Sequence, residues 1–145
     1  MAALRTRRPT DDAAIVRLAV EAFAEYSATA AAHAEKMVCR SGAETLVASV
    51  TDRVVGFAVV VHGPTARLDA IAVTAEHRGT GVGRQLLAGA ERVAKRNGAA
   101  RMTLATAETN LAALDLFLRS GYRITRRLPR YYSRGQDALE MSKKL

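Results

Sequence analysis

Three glycines, Gly79, Gly81 and Gly83, alternate between an apolar strand, LDAIAV at residues 68–73, and an amphipathic helix. Val82, Leu86, Leu87, Ala90, Val93 and Ala94 recur at helical spacing, so residues 81–97 must lay one face on a core, and Asn97-Gly98 ends the helix. A strand that feeds straight into such a helix belongs to an α/β layer arrangement. The turn itself suits a phosphate. Glycines let the backbone approach closely, successive N–H groups point one way, and the helix dipole favours negative charge. Arg78 and Arg84 add fixed positive charge. The alternative is a flexible turn that only caps the helix. A dinucleotide fingerprint is excluded, because Arg84 and Leu86 stand where its third glycine would fall, and no Gly-Lys-Ser/Thr of a nucleoside-triphosphate loop occurs.

The remaining elements alternate around this junction. Residues 4–8 form a strand closed by Pro9, and Thr10 is placed to cap a helix with Asp11 and Asp12 in its first turn. Ile15, Leu18, Ala19, Ala22 and Phe23 give that helix one buried face, and an alanine-rich helix follows over residues 29–38. Strands at 44–50 and 54–62 flank a Thr51-Asp52-Arg53 hairpin turn, and 67–73 is the fourth strand. Beyond the glycine turn and its helix come a strand at 102–107, a helix at 111–120 stopped by Gly121, and strands at 122–128 and 138–143. The expectation is one α/β domain over residues 1–145.

At 145 residues, 49% hydrophobic and 25% charged, the chain can bury a core without disulfides or metal. It contains no apolar run long enough for a membrane helix, and MAALRTRRPTDD lacks the apolar core of a secretory signal. The single cysteine, Cys39, excludes a disulfide framework and points to a reducing, cytoplasmic setting. His33, His62 and His77 are scattered and form no metal-ligand spacing with Cys39. No Gly-x-Ser-x-Gly elbow is present. The net charge of +8 would suit nucleic acid, acidic peptides or a polyphosphate cofactor. Its arginines, at 5, 7 and 8 and at 119, 123, 126, 127, 130 and 134, come without a nucleic-acid-binding motif, so nucleic acid is not the favoured partner.

Arg78-x-x-Gly81-x-Gly83, after a strand and before Gln85-Leu86-Leu87, resembles the acyl-CoA pyrophosphate loop of the GNAT superfamily of N-acyltransferases. Asn110, Ala113, Leu114, Phe117 and Gly121-Tyr122 resemble that family's second block, whose helix flanks the pantetheine arm. The resemblance implies a mixed central sheet of about seven strands flanked by about four helices and splayed between strands four and five. It implies acetyl-CoA (coenzyme A) as donor, an amine-bearing acceptor, and a monomer or homodimer. By the same resemblance, the backbone of Ile71, Ala72 and Val73 would meet pantetheine. The N–H groups of Arg78, Gly79, Thr80, Gly81, Val82 and Gly83, with Arg84 beside them, would bind pyrophosphate. Asn110, which could equally be a simple helix cap, and Phe117 would flank the cofactor.

Amide formation from a thioester needs an uncharged amine, an oriented carbonyl and a proton for the leaving thiolate. A lysine amine near pKa 10.4 is harder to deprotonate than an α-amine near about 8. In the similar ribosomal-protein N-terminal acetyltransferase branch, a tyrosine supplies the proton and a glutamate acts as base; those positions here are Phe117 and Ala105. Arg130-Tyr131-Tyr132 resembles the tyrosine pair that lines that branch's peptide entrance. Tyr131 and Tyr132 are therefore candidates for acceptor binding and for the missing acid, or they pack beside a strand. Glu108 is either the carboxylate nearest the reaction channel or a solvated turn residue. Tyr26 and Asp69 either face the acceptor or serve packing and surface. The resulting expectation is an N-acetyltransferase acting on a primary amine of a small molecule, peptide or protein N-terminus. The alternatives are acetylation of aminoacyl-tRNA through the basic surface, and a catalytically silent acyl-CoA-binding module.

Overall fold

The computed structural model describes residues 2–145; residue 1 of the expected domain lies outside them. Among the described residues the order is β1 (Ala3–Thr6), α1 (Asp12–Phe23), α2 (Ala30–Val38), β2 (Ala43–Val50), β3 (Arg53–Val61), β4 (Thr65–Val73), α3 (Val82–Arg96), β5 (Arg101–Ala107), α4 (Leu111–Arg119), β6 (Arg123–Leu128) and β7 (Ala138–Lys144). The seven strands make one sheet in the order β1-β2-β3-β4-β5-β7-β6. Every neighbouring pair is antiparallel except β4 and β5, which run parallel. This is the expected α/β fold with its mixed sheet of seven strands and four α-helices.

Strand alternation sorts the core into two layers. Leu46 and Ala48 of β2 and Ala58 and Val60 of β3 pack with Leu86, Leu87, Ala90, Val93 and Ala94 of α3. Val47, Phe57 and Val59, pointing the other way, pack with Ile15, Leu18 and Ala19 of α1 and with Ala34 and Met37 of α2. Covering both faces explains why the middle strands read as continuous apolar runs. Gly56 is required on β3, because a Cβ there would sit 2.9 Å from the Ala72 carbonyl oxygen and 2.9 Å from Leu86.

Strand β4 changes face partway along. Its register on β3 pairs Ala70 with Val59 but Leu68 with Val60, leaving Asp69 as an extra, bulged residue. As a result Ala66 and Leu68 join the α3 layer, whereas Ala70 and Ala72 join the α1–α2 layer.

The start of the chain differs from expectation. Strand β1 ends at Thr6, and Pro9–Asp11 forms a 3₁₀ turn before α1. Thr10 makes no cap. Asp11 instead ties the turn back to β1: its Oδ2 accepts the Arg8 N–H at 2.7 Å, and its carboxylate takes two Arg5 guanidinium nitrogens at 2.7 and 2.9 Å. The Arg5 bonds chiefly hold Asp11 down at a pKa of about 2.

Because the folded-state pKa lies below the unfolded value, this stabilisation is present above about pH 4 and fades as pH falls toward about 2. Asp11→Asn should therefore cost about 2 kcal/mol in urea unfolding at pH 7, with the gap to wild type closing as pH falls through that window.

Candidate active site

Strands β4 and β5 pair only from Thr65 to Arg67 against Arg101 to Thr103. Beyond that point β4 stays on β3 as far as Val73, while β5 stays on β7 along its full length. The sheet thus opens as a wedge, and the edge of β4 through Ile71, Ala72 and Val73 faces the gap without a strand partner. Backbone edges left unpaired inside a fold require some other hydrogen-bonding partner.

At the far end of β4 the chain turns through Ala75–His77 and the glycines into α3. Gly79 and Gly81 have φ of +74° and +91°, conformations that favour glycine, and a Cβ at either would meet nothing within 4 Å. Gly83 sits inside the first helical turn, where a Cβ would reach Leu116 at 3.4 Å. The backbone N–H groups from Gly79 through Arg84 have no acceptor among the described residues, since the first backbone bond of α3 runs from Gln85 to the Gly81 carbonyl. Arg78 departs from the expected set of donors. Its N–H goes to the Ala75 carbonyl at 3.3 Å and its Nε to the Val73 carbonyl at 3.3 Å. The Thr80 hydroxyl donates to the His77 carbonyl. What remains is an open, positively biased cradle that fits a polyphosphate.

The wedge leads into a cavity of about 670 Å³ lined by β4, β5, α2, the start of α4 and the loop before β7. Asn110 lies on its wall and accepts the Ala113 N–H at 3.2 Å, so it caps α4 while facing the gap. Phe117 and Ala105 also line the cavity. Phe117 is 3% exposed and meets Tyr122 edge-on at 5.9 Å. Tyr122 is a core residue: its hydroxyl donates to Glu91 at 2.8 Å, and burial drives it well above the usual phenol range.

Tyr26, Tyr131 and Tyr132 form one cluster. Tyr132 lies 5.1 Å from Tyr26 and 5.0 Å from Tyr131, ring centre to ring centre. Burial, followed by the neighbouring Tyr131 and Tyr26, pushes Tyr132 up to about 12, so it remains a protonated phenol at neutral pH. The loop carrying the pair is fastened to the end of α1. Arg134 Nε donates to the Ala24 carbonyl at 2.8 Å, and Gln136 Nε2 to that of Glu25 at 2.9 Å. A guanidinium there also complements the helix dipole.

Asp69 faces the cleft rather than the outer surface, with its side chain only 11% exposed. It is bonded by two arginines that sequence reasoning missed: Arg40 Nη1 at 2.8 Å and Arg67 Nε at 3.1 Å. Arg67 Nη2 in turn donates to the Tyr131 hydroxyl at 2.9 Å. Arg40 follows α2 and Arg67 sits on β4, and no local spacing links them. Glu108 is not part of this assembly. It pairs with Arg127 at 2.7 Å and does not line the cavity, which removes it from the candidates for proton transfer.

A split sheet with a glycine cradle at the head of its third helix is the architecture of an N-acetyltransferase. Ard1 from Thermoplasma volcanium is similar over 99% of this chain and 97% of its own, with TM-score 0.85 and 26% identity. A ribosomal-protein-alanine N-acetyltransferase from Brucella melitensis shares the fold over 99% of each chain, with TM-score 0.85 and 22% identity. N-alpha-acetyltransferase 30 of Schizosaccharomyces pombe is 34% identical over 100 residues, 65% of this chain and 67% of the relative. The Acetyltransferase (GNAT) family model matches residues 7–122, and the chain belongs to that family.

Asn110→Ala removes the α4 cap and should lower stability by about 1 kcal/mol in denaturant unfolding. Asn110→Asp, which keeps the accepting oxygen, should recover most of that loss.

Proposed function

We propose that this protein transfers an acetyl group from acetyl-CoA to a primary amine presented by a small molecule, a peptide or a protein N-terminus. The observation that carries this reading is the continuity of the wedge: an unpaired β4 edge joins a cradle of free N–H groups at one end to the tyrosine-lined cavity at the other. Acetyl-CoA would supply an activated thioester. Gly79 through Arg84 would hold its pyrophosphate, and Ile71, Ala72 and Val73 would hydrogen-bond its amide-bearing arm. Asn110 and Phe117 would wall the arm on the α4 side.

Bringing amine and acyl group together in a dry cleft supplies much of the rate, and positioned proton transfer adds about 10²–10⁴-fold. With phenylalanine at 117 and alanine at 105, neither position can move a proton. Tyr132, a protonated phenol in the cavity, is the donor we assign to the departing sulfur, while Tyr26 and Tyr131 shape the acceptor's approach. The amine would lose its proton to water, which is easiest for an α-amine. The likeness to N-alpha-acetyltransferase 30 supports an α-amine as the reacting group. The tRNA alternative rests on a basic surface that is partly neutralised, although Arg123 and Arg130 make no ion pair among the described residues and the net charge is +8. Arg119, Arg126 and Arg127 are ion-paired with Asp115, Glu140 and Glu108, and Arg134 is spent on α1.

Titration calorimetry with acetyl-CoA tests the cradle. Gly81→Ala reports the backbone strain alone, and Gly81→Glu adds a carboxylate in open space; the glutamate should bind at least about tenfold more weakly than the alanine. Equal binding by the two would contradict the assignment. In a thiol-release assay, Tyr132→Phe should lower kcat about a hundredfold while acetyl-CoA binding holds. Binding without turnover on any amine would leave an acyl-CoA-binding module.

A further inference from the structure

The charges in the acceptor cavity are unbalanced. Arg40, Arg67 and Asp69 are its ionised lining residues, with His33 as the remaining titratable group besides the tyrosines. Two guanidiniums thus face one carboxylate. That carboxylate is already committed, with Oδ2 on Arg40 and Oδ1 on Arg67. Glu140, whose charge also reaches Arg67, is held by Arg126 at 3.1 Å. The bulge that places Asp69 in the cavity therefore supplies a brace for arginines: each oxygen already accepts one guanidinium N–H, and the surplus charge of the cluster is positive, which disfavours an acceptor's ammonium beside it.

The arginines are less fully used. Arg40 engages Asp69 through Nη1 only, and Arg67 uses Nε for Asp69 and Nη2 for Tyr131. Arg40 Nε and Nη2 and Arg67 Nη1 thus have no partner among the described residues. Their side chains are 45% and 48% exposed and open to the cavity. Two planar forks with spare donors, pre-set by a shared carboxylate, match a carboxylate ligand. Arg67 stands where β4 and β5 part, on the side of Ile71–Val73 away from the glycine turn, so the forks face the part of the cavity beyond the residues expected to hold the cofactor's arm.

We propose that the preferred acceptor is a carboxylate-bearing amine, whose carboxylate is held by Arg40 and Arg67 while its amine reaches toward the acyl group. This deepens the acetyltransferase reading and rests on it. Arg40 and Arg67 would be specificity-determining residues, with Asp69 positioning them.

The test compares matched acceptors with the full-length protein and acetyl-CoA, following thiol release. Alanine against alaninamide isolates an α-carboxylate. A peptide beginning with glutamate against one beginning with glutamine, both C-terminally amidated, isolates a side-chain carboxylate. The expected result is at least a tenfold higher kcat/KM for the acid in one pair, carried by KM. In Arg40→Gln that ratio should collapse toward one, and Arg40→Lys should restore part of it. Equal use of acid and amide by wild type in both pairs, or an unaltered ratio in Arg40→Gln, overturns the inference while leaving acetyl transfer standing. Absence of turnover on every amine would instead sink the acetyltransferase reading. Calorimetry of the same acids and amides with CoA present then decides whether the arginine site binds carboxylates.

Discussion

Everything at this site depends on β4 leaving β5. For three residues the two strands pair in parallel; then each keeps its outer neighbour and lets the other go. The seam is kept open because both halves are anchored independently. Strand β4 stays on β3 under two helical layers, and β5 stays on β7 along its full length. A gap with unpaired backbone on its wall must be satisfied by water or by a ligand with complementary amides. The fold thus trades sheet continuity for a slot.

The bulge at Asp69, in the pairing of β4 with β3, is the second feature that shapes the site. One extra residue rotates the rest of β4, so that Ala70 and Ala72 turn to the α1–α2 layer and a carboxylate turns into the cavity. From there an ordered polar chain runs from Arg40 through Asp69 and Arg67 to the Tyr131 hydroxyl. Since the loop carrying Tyr131 and Tyr132 is also tied to the carbonyls ending α1, the cavity wall is set from both sides. Rigid placement of this kind is what transfer between two bound reactants requires.

The elements were legible because their signals are local. Strand and helix periods, the glycine turn and the Asn110 cap all declare themselves within a few residues, and the order of elements follows from them. The splay was expected only by family resemblance. What the sequence left hidden is non-local. Arg40 and Asp69 are 29 positions apart, and Arg67 and Tyr131 are 64 apart; nothing in a linear reading joins them. Thr10 makes no cap because it lies inside the 3₁₀ turn that leads into α1, which puts Asp11 at the N-cap position. Glu108 failed because Arg127, on β6, held it outside the cavity.

The most direct test of this account is hydrogen exchange of the backbone with and without acetyl-CoA. Slower exchange confined to the wedge and the cradle, from Ile71 to Val73 and from Gly79 to Arg84, is the predicted result. Protection that spares both segments and appears elsewhere, with binding intact, would contradict the claim that the opened sheet is where the cofactor sits.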